Sequence, residues 1–199
     1  MSESKKQVRQ SWEKFLNPSS LRSNLITASL FLTAYELLQD SVIARIRDFF
    51  SVDFNEQGGI ASKDYKEKVL SLDRSPLKAS LLWLHEMDAL SEADISLIDN
   101  IRRHRNEIAH ELPKIVMTAD AEIDIRLLCS IYELVEKIER WWVREVDIPT
   151  NPDFDGQQID DADIMPGRVI CMNMLIRIAT EERDEDASIF LKALNDQLD

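Results

Sequence analysis

The sequence of 199 residues predicts an all-α fold, an antiparallel helical bundle with an extra helical C-terminal extension, on three observations. Apolar residues recur at steps of three and four over long stretches, the pattern of a helix with one buried stripe. The four glycines (Gly58, Gly59, Gly156 and Gly167) leave little turn chemistry for hairpins and no phosphate-cradling loop. Apolar residues make up 44% of the chain, enough to fill the core of one domain.

Residues 3–16 read as a short charged amphipathic helix, ended by Asn17-Pro18-Ser19-Ser20 because Pro18 cannot continue the hydrogen-bond ladder. From about Leu21 to Phe50, the residues Phe31, Tyr35, Leu38, Val42, Ile46 and Phe49 lay one stripe down a rod of roughly eight turns. Gly58-Gly59 marks a loop. Ser75 and Pro76 open the next helix as N-cap and first helical residue, with Leu77, Leu81 and Leu84 facing inward. Ser91-Glu92-Ala93-Asp94 has the form of a capping box and starts a helix that ends or kinks near Pro113. A last long rod begins near Thr118, its stripe formed by Leu127, Ile131, Leu134, Ile138 and Trp141 or Trp142. Residues 147–165, with Pro149, Pro152, Gly156 and several aspartates, read as a loop, and helices over about 166–182 and 185–197 finish the chain. The domain organisation is an N-terminal helix (1–19), a bundle (20–145) and an acidic loop and helical extension packed on it (146–199).

Acids outnumber bases by 37 to 24, but unevenly. Residues 1–144 hold 23 acids and 20 bases, whereas residues 145–199 hold 14 acids and 4 bases. The acidity belongs to the tail, as a solvated surface, a contact for a basic partner or a mask over a basic groove. The amino terminus has no signal-peptide core, and charge breaks every apolar stretch well short of the roughly 20 residues of a membrane span, so a cytoplasmic protein with no membrane partner is expected. Cys129 and Cys171, in apolar helical contexts, form neither a disulfide framework nor a zinc pattern. Asn151, Asp153, Asp155 and Gly156 imitate the first half of a calcium loop, but Ala162 stands where the bidentate glutamate belongs, and a polar loop is the better reading. No metal and no cofactor are expected.

Chemistry concentrates on Ile95–Leu112. On a helix, Ile98, Ile101, Ile108 and Leu112 fall within roughly 80° of one another, while Asp99, Arg103, Asn106 and His110 share a second line. Arg105 projects within about 40° of the apolar stripe, so a carboxylate must hold its guanidinium or the side chain must reach past the core edge. His85 and His104 lack a comparable set of polar neighbours and read as structural.

The run Arg105-Asn106-Glu107-Ile108-Ala109-His110 resembles the signature of the HEPN superfamily: an Arg, a polar residue that is often Asn, three further residues and a His, near the end of a bundle helix. The resemblance covers roughly residues 20–145. It implies a HEPN-type bundle, usually a homodimer, in which two motifs meet across a cleft, and for many members a metal-independent endoribonuclease of defence, toxin or RNA-processing systems. On that resemblance Arg105 holds the scissile phosphate of RNA, Asn106 orients it and His110 transfers protons. Arg102 and Arg103, duplicated across the cleft, supply a basic patch for RNA, and Glu36 is a candidate to pair with Arg105. An imidazole of ordinary pKa near 6.5 suits proton transfer at neutral pH, and Arg places fixed positive charge where the phosphorane gains negative charge. The Tyr that can be modified in antitoxin-paired members is here Leu112, so antitoxin control by that route is not expected. An antitoxin of another kind or a basic protein remains the partner to look for beyond RNA and a second copy. The alternative is a non-catalytic HEPN-type module that binds a protein, nucleotide or RNA.

Overall fold

Pro18 opens a helix as well as closing one. In a computed structural model that describes residues 3–51, 54–55, 58–60 and 62–180, helix α1 (Glu3–Leu16) stops at Asn17, whose side-chain oxygen accepts the N–H groups of Ser19 and Ser20 at 3.0 and 3.2 Å. With those donors capped and Pro18 at its first position, α2 (Pro18–Gln39) starts three residues earlier than the apolar pattern indicated. One wide π turn, Asp40–Ala44, carries the rod into α3 (Arg45–Phe49).

The expected loop around Gly58 contains a minimal hairpin, β1 (Phe54–Asn55) antiparallel to β2 (Gly58–Gly59), with Phe54 opposite Gly59. A short helix that the sequence reading did not anticipate follows. Ser62 caps it by accepting the N–H of Tyr65, and α4 (Lys63–Tyr65) runs into a π turn, Lys66–Leu70.

Helix α5 (Pro76–Glu86) has Ser75 as its N-cap residue, but the Ser75 side chain makes no capping bond; its N–H instead donates to Asp73 at 2.8 Å. The helix ends in a Schellman motif. Ala89 N–H bonds to Leu84 O at 2.9 Å and Asp88 N–H to His85 O at 3.0 Å, with Asp88 in the left-handed region (φ 59°) where glycine is usual.

The capping box forms at the start of α6 (Glu92–Met117): Asp94 accepts the Ser91 N–H at 2.7 Å while Ser91 Oγ accepts the Asp94 N–H at 3.2 Å. Pro113 has no N–H for the Ala109 carbonyl, and the helix kinks at Glu111 (φ −117°, ψ 20°) before continuing to Met117. Helix α7 (Ile125–Trp142) begins later than Thr118, because Asp124 is its N-cap. It passes through a third π turn, Val143–Asp147, into α8 (Ile148–Thr150). Beyond the acidic loop lies α9 (Gly167–Thr180); the helix expected over 185–197 lies outside the described residues.

Helices α6 and α7 run antiparallel, pinned at one end by Lys137 on Asp94 (2.5 Å) and at the other by the Asp124 N–H on His104 (3.0 Å). Phe31, Leu38, Val42, Ile46, Leu84, Ile98, Ile101, Ile108, Ile131, Ile138, Trp142 and Met172 are fully buried and join the two rods, α5, α6 and α9 in one core. The buried Glu139 carboxylate is satisfied inside it by Ser41 (2.7 Å) and Arg168 (2.8 Å). One expectation fails at the surface: Phe49 is exposed rather than part of the stripe. Cys129 and Cys171 are both exposed free thiols. Among the described residues no helix is long and apolar enough to cross a membrane.

Candidate active site on helix α6

Ile98, Ile101, Arg105, Ile108, Leu112 and Ile115 are spaced three, four, three, four and three, which gives Arg105 a core position in a heptad. Its isoleucine neighbours are buried at 0–6% exposure. Arg105 escapes sideways toward α2. Its Cζ lies 5.4 Å over the Tyr35 ring and Nη2 donates to Glu36 at 2.9 Å, while Nη1 makes only a long contact, 3.4 Å, with Asn106 Oδ1. Nε is buried with no hydrogen-bond partner, a loss of about 1–3 kcal/mol against a satisfied donor. Burial pushes the Tyr35 hydroxyl pKa up, with Arg105 and then Arg102 pulling in the opposite direction.

Arg102 and Arg103 share one carboxylate. Asp99 accepts from Arg102 at 2.8 and 3.2 Å and lies 3.3 Å from Arg103 Nε, and the Arg102 hydrogen bond holds the Asp99 carboxyl below its usual range. Counting Glu36 and Arg105, three cations face two acids, so the surface is much less basic than its arginines suggest.

His110 is exposed and, among the described residues, has no hydrogen-bond or ion-pair partner. It stands one turn beyond Asn106 and one residue before the kink. His104 is its opposite. Its Nε2 accepts the Asp124 N–H, so in the neutral ring Nδ1 carries the proton, 3.1 Å from Glu107, and the ring sits edge-on to Phe31 at 5.2 Å. His85 Nδ1 lies 2.7 Å from Leu90 O and ties down the turn before α6.

A cleft of about 740 Å³ opens between the start of α5 and the first half of α6, with Lys78, Leu81, Ile98, Asp99, Arg102 and Arg103 in its lining. It gathers the two candidate RNA-binding arginines but not Arg105, Asn106 or His110; from Arg103 to His110 the helix advances about 10 Å. What the sequence reading missed here is Tyr35 as a platform for Arg105, although its adjacency to Glu36 was the available signal.

The acidic extension is fastened elsewhere, with Arg45 on Asp147, Arg144 on Asp161 and Arg168 on Glu139. Of the segment 145–199 considered as a mask over a basic groove, residues 181–199 lie outside the described residues. The calcium-like run is a turn cap, since Asn151 Oδ1 accepts the Asp153 N–H at 3.0 Å. Comparison of the chain with protein-family models, with curated proteins and with solved structures finds no match.

Proposed function

We propose that this chain is a HEPN-type, metal-independent endoribonuclease acting as a homodimer, with a defence, toxin or RNA-processing role. One observation carries the reading: an arginine set in a core register with a buried, unsatisfied Nε, five positions before an exposed imidazole that has no partner among the described residues. Residues that cost stability without a structural return are the ones a ligand or a reaction explains.

In the proposed reaction the substrate's 2′-oxygen attacks the adjacent phosphorus. A 2′-O–P bond forms and the P–5′-O bond breaks, leaving a 2′,3′-cyclic phosphate and a 5′-hydroxyl. His110 of one protomer takes the 2′-hydroxyl proton and the copy on the second protomer protonates the leaving 5′-oxygen. Arg105 balances the charge gained by the equatorial phosphate oxygens, Asn106 orients the group, and Arg102 and Arg103 hold the flanking strand. Purified protein incubated with RNA in EDTA should yield cyclic-phosphate ends. His110→Ala should be folded and inactive, and equal activity in that variant removes the proposal.

A second reading, a non-catalytic HEPN-type binding module, is favoured by one observation: Arg102, Arg103 and Arg105 are all already paired with Asp99 or Glu36. Expressing the wild type and the His110→Ala or Arg105→Ala variants in cells separates the readings, since only a nuclease is toxic in a way that these substitutions abolish.

A further inference from the structure

At the end of the bundle remote from His110, residues from four segments build an aromatic cluster. Phe49 and Phe50, Tyr65, Trp83, and Trp141 with Trp142 stand at centroid separations of 5.0–6.3 Å. Two of its faces already carry cations: Arg45 Cζ is 5.5 Å over Trp142 and Lys68 Nζ is 5.9 Å over Phe50. A third face is open. There a cleft of about 620 Å³ is lined by Phe49, Trp83, Met87, Asp88, Trp141 and Glu145, together with Arg144 and Val146. Phe49 and Trp141 each contact Trp83 (6.3 and 6.2 Å), and the three rings line this one cleft, with Phe49 the most exposed of them and Trp83 buried.

The charges at the mouth choose between ligands. A planar nucleotide would suit the rings, but the cation present, Arg144, is engaged by Asp161, while Asp88 and Glu145, both exposed, have no side-chain partner among the described residues. Two free carboxylates repel a phosphate and attract a cation. Asp88 also stands at the Schellman position where glycine is favoured, with φ 59°, so the fold accepts strain to carry a carboxylate at this rim. We propose that the Phe49–Trp83–Trp141 cleft, rimmed by Asp88 and Glu145, binds an alkylated ammonium cation, by the same cation–π geometry that Arg45 and Lys68 use on the neighbouring faces. The site begins four residues before α6 starts, about 27 Å along the helix axis from His110, and does not depend on the nuclease proposal.

The test is titration of the full-length chain with choline, followed through the indole N–H resonances of Trp83 and Trp141, against the neutral isostere 3,3-dimethylbutan-1-ol. Choline should shift both resonances and bind about tenfold or more tightly than the alcohol, since the charge carries the interaction. Phe49→Leu and Glu145→Gln should each weaken choline about three- to tenfold with an unchanged circular dichroism spectrum. Asp88→Gly should weaken it while raising Tm, an outcome that damage to the fold cannot imitate. A peptide carrying trimethyl-lysine gives the second arm: tighter binding of the peptide than of choline marks a protein side chain as the source of the cation, and the reverse a small molecule. Equal affinity for choline and the alcohol, insensitivity to Phe49→Leu and Glu145→Gln, or no shift of either indole would overturn the proposal.

Discussion

At one end of the bundle Arg45 lies 5.5 Å over Trp142 and its Nη2 reaches both oxygens of Asp147, at 2.9 and 2.7 Å. Toward the other, Arg105 lies 5.4 Å over Tyr35 but holds one oxygen of Glu36 at 2.9 Å, strains to Asn106 at 3.4 Å and leaves Nε buried and unpaired. The ring, the guanidinium and the carboxylate are common to both. The pairing at Arg45 explains its presence by the fold alone, whereas Arg105, with Nη1 on a long contact and Nε buried without a partner, is left incompletely satisfied by the fold.

The largest expected effect tests whether the incomplete site is chemical. His110→Ala should lower RNA cleavage about 10²- to 10⁴-fold with the melting curve unchanged, measured as single-turnover rates. Next, the two arginines should respond with opposite signs. Arg105→Met, which fills a core register position, should raise unfolding free energy by about 1 kcal/mol and cut cleavage about a hundredfold or more. Arg45→Met should cost about 1 kcal/mol, discounted for its partial exposure, with cleavage unaltered; denaturant titration with the cleavage assay reads both. Destabilisation by Arg105→Met would make the two sites alike.

A smaller effect concerns pH. Burial raises the Asp94 carboxyl pKa, but hydrogen bonds from Lys137 and Ser91 more than offset it and leave the group below its ordinary value. A depressed carboxyl stabilises above its unfolded pKa, and that stability is lost as pH falls through the folded pKa. Lys137→Met should therefore lower stability at neutral pH by about 1 kcal/mol or less and flatten the decline below pH ~4, as followed by thermal melts across pH. Least of all, Asp99→Asn should release Arg102 and Arg103 and strengthen RNA binding a few-fold at low salt, with the gain vanishing as salt rises.

The bundle was legible because its signals are local. The three-and-four spacing of Ile98, Ile101, Ile108 and Leu112 and the Ser91–Asp94 box each lie within a few turns of chain. The misplaced boundaries have local causes of another kind: Pro18 works as both stop and start, and Asp124 caps α7 after an irregular stretch with enough apolar residues to look helical. Long-range features were not readable. His104 acts as acceptor for a backbone N–H twenty residues away, and the aromatic cluster gathers rings from four segments. Phe49 fitted a helical stripe by spacing, yet the stripe holds only as far as Ile46, and Phe49, near the end of the rod, is about half exposed. The spacing of Arg105 and His110 was visible in the sequence, but the neutralisation of Arg102 and Arg103 by one aspartate depends on rotamers.

The break in α6 falls at Glu111, immediately after His110. Among the described residues, the side-chain hydrogen bonds that fasten α1 to this helix and the turn after it lie past that point: Lys14 reaches the carbonyls of Ile115, Thr118 and Ala121, Ser11 takes the Ala119 N–H, and Gln7 meets Asp120. The six residues from Arg105 to His110 therefore all precede the joint and share one unbroken stretch of helix, which fixes their mutual spacing at that of a regular α-helix.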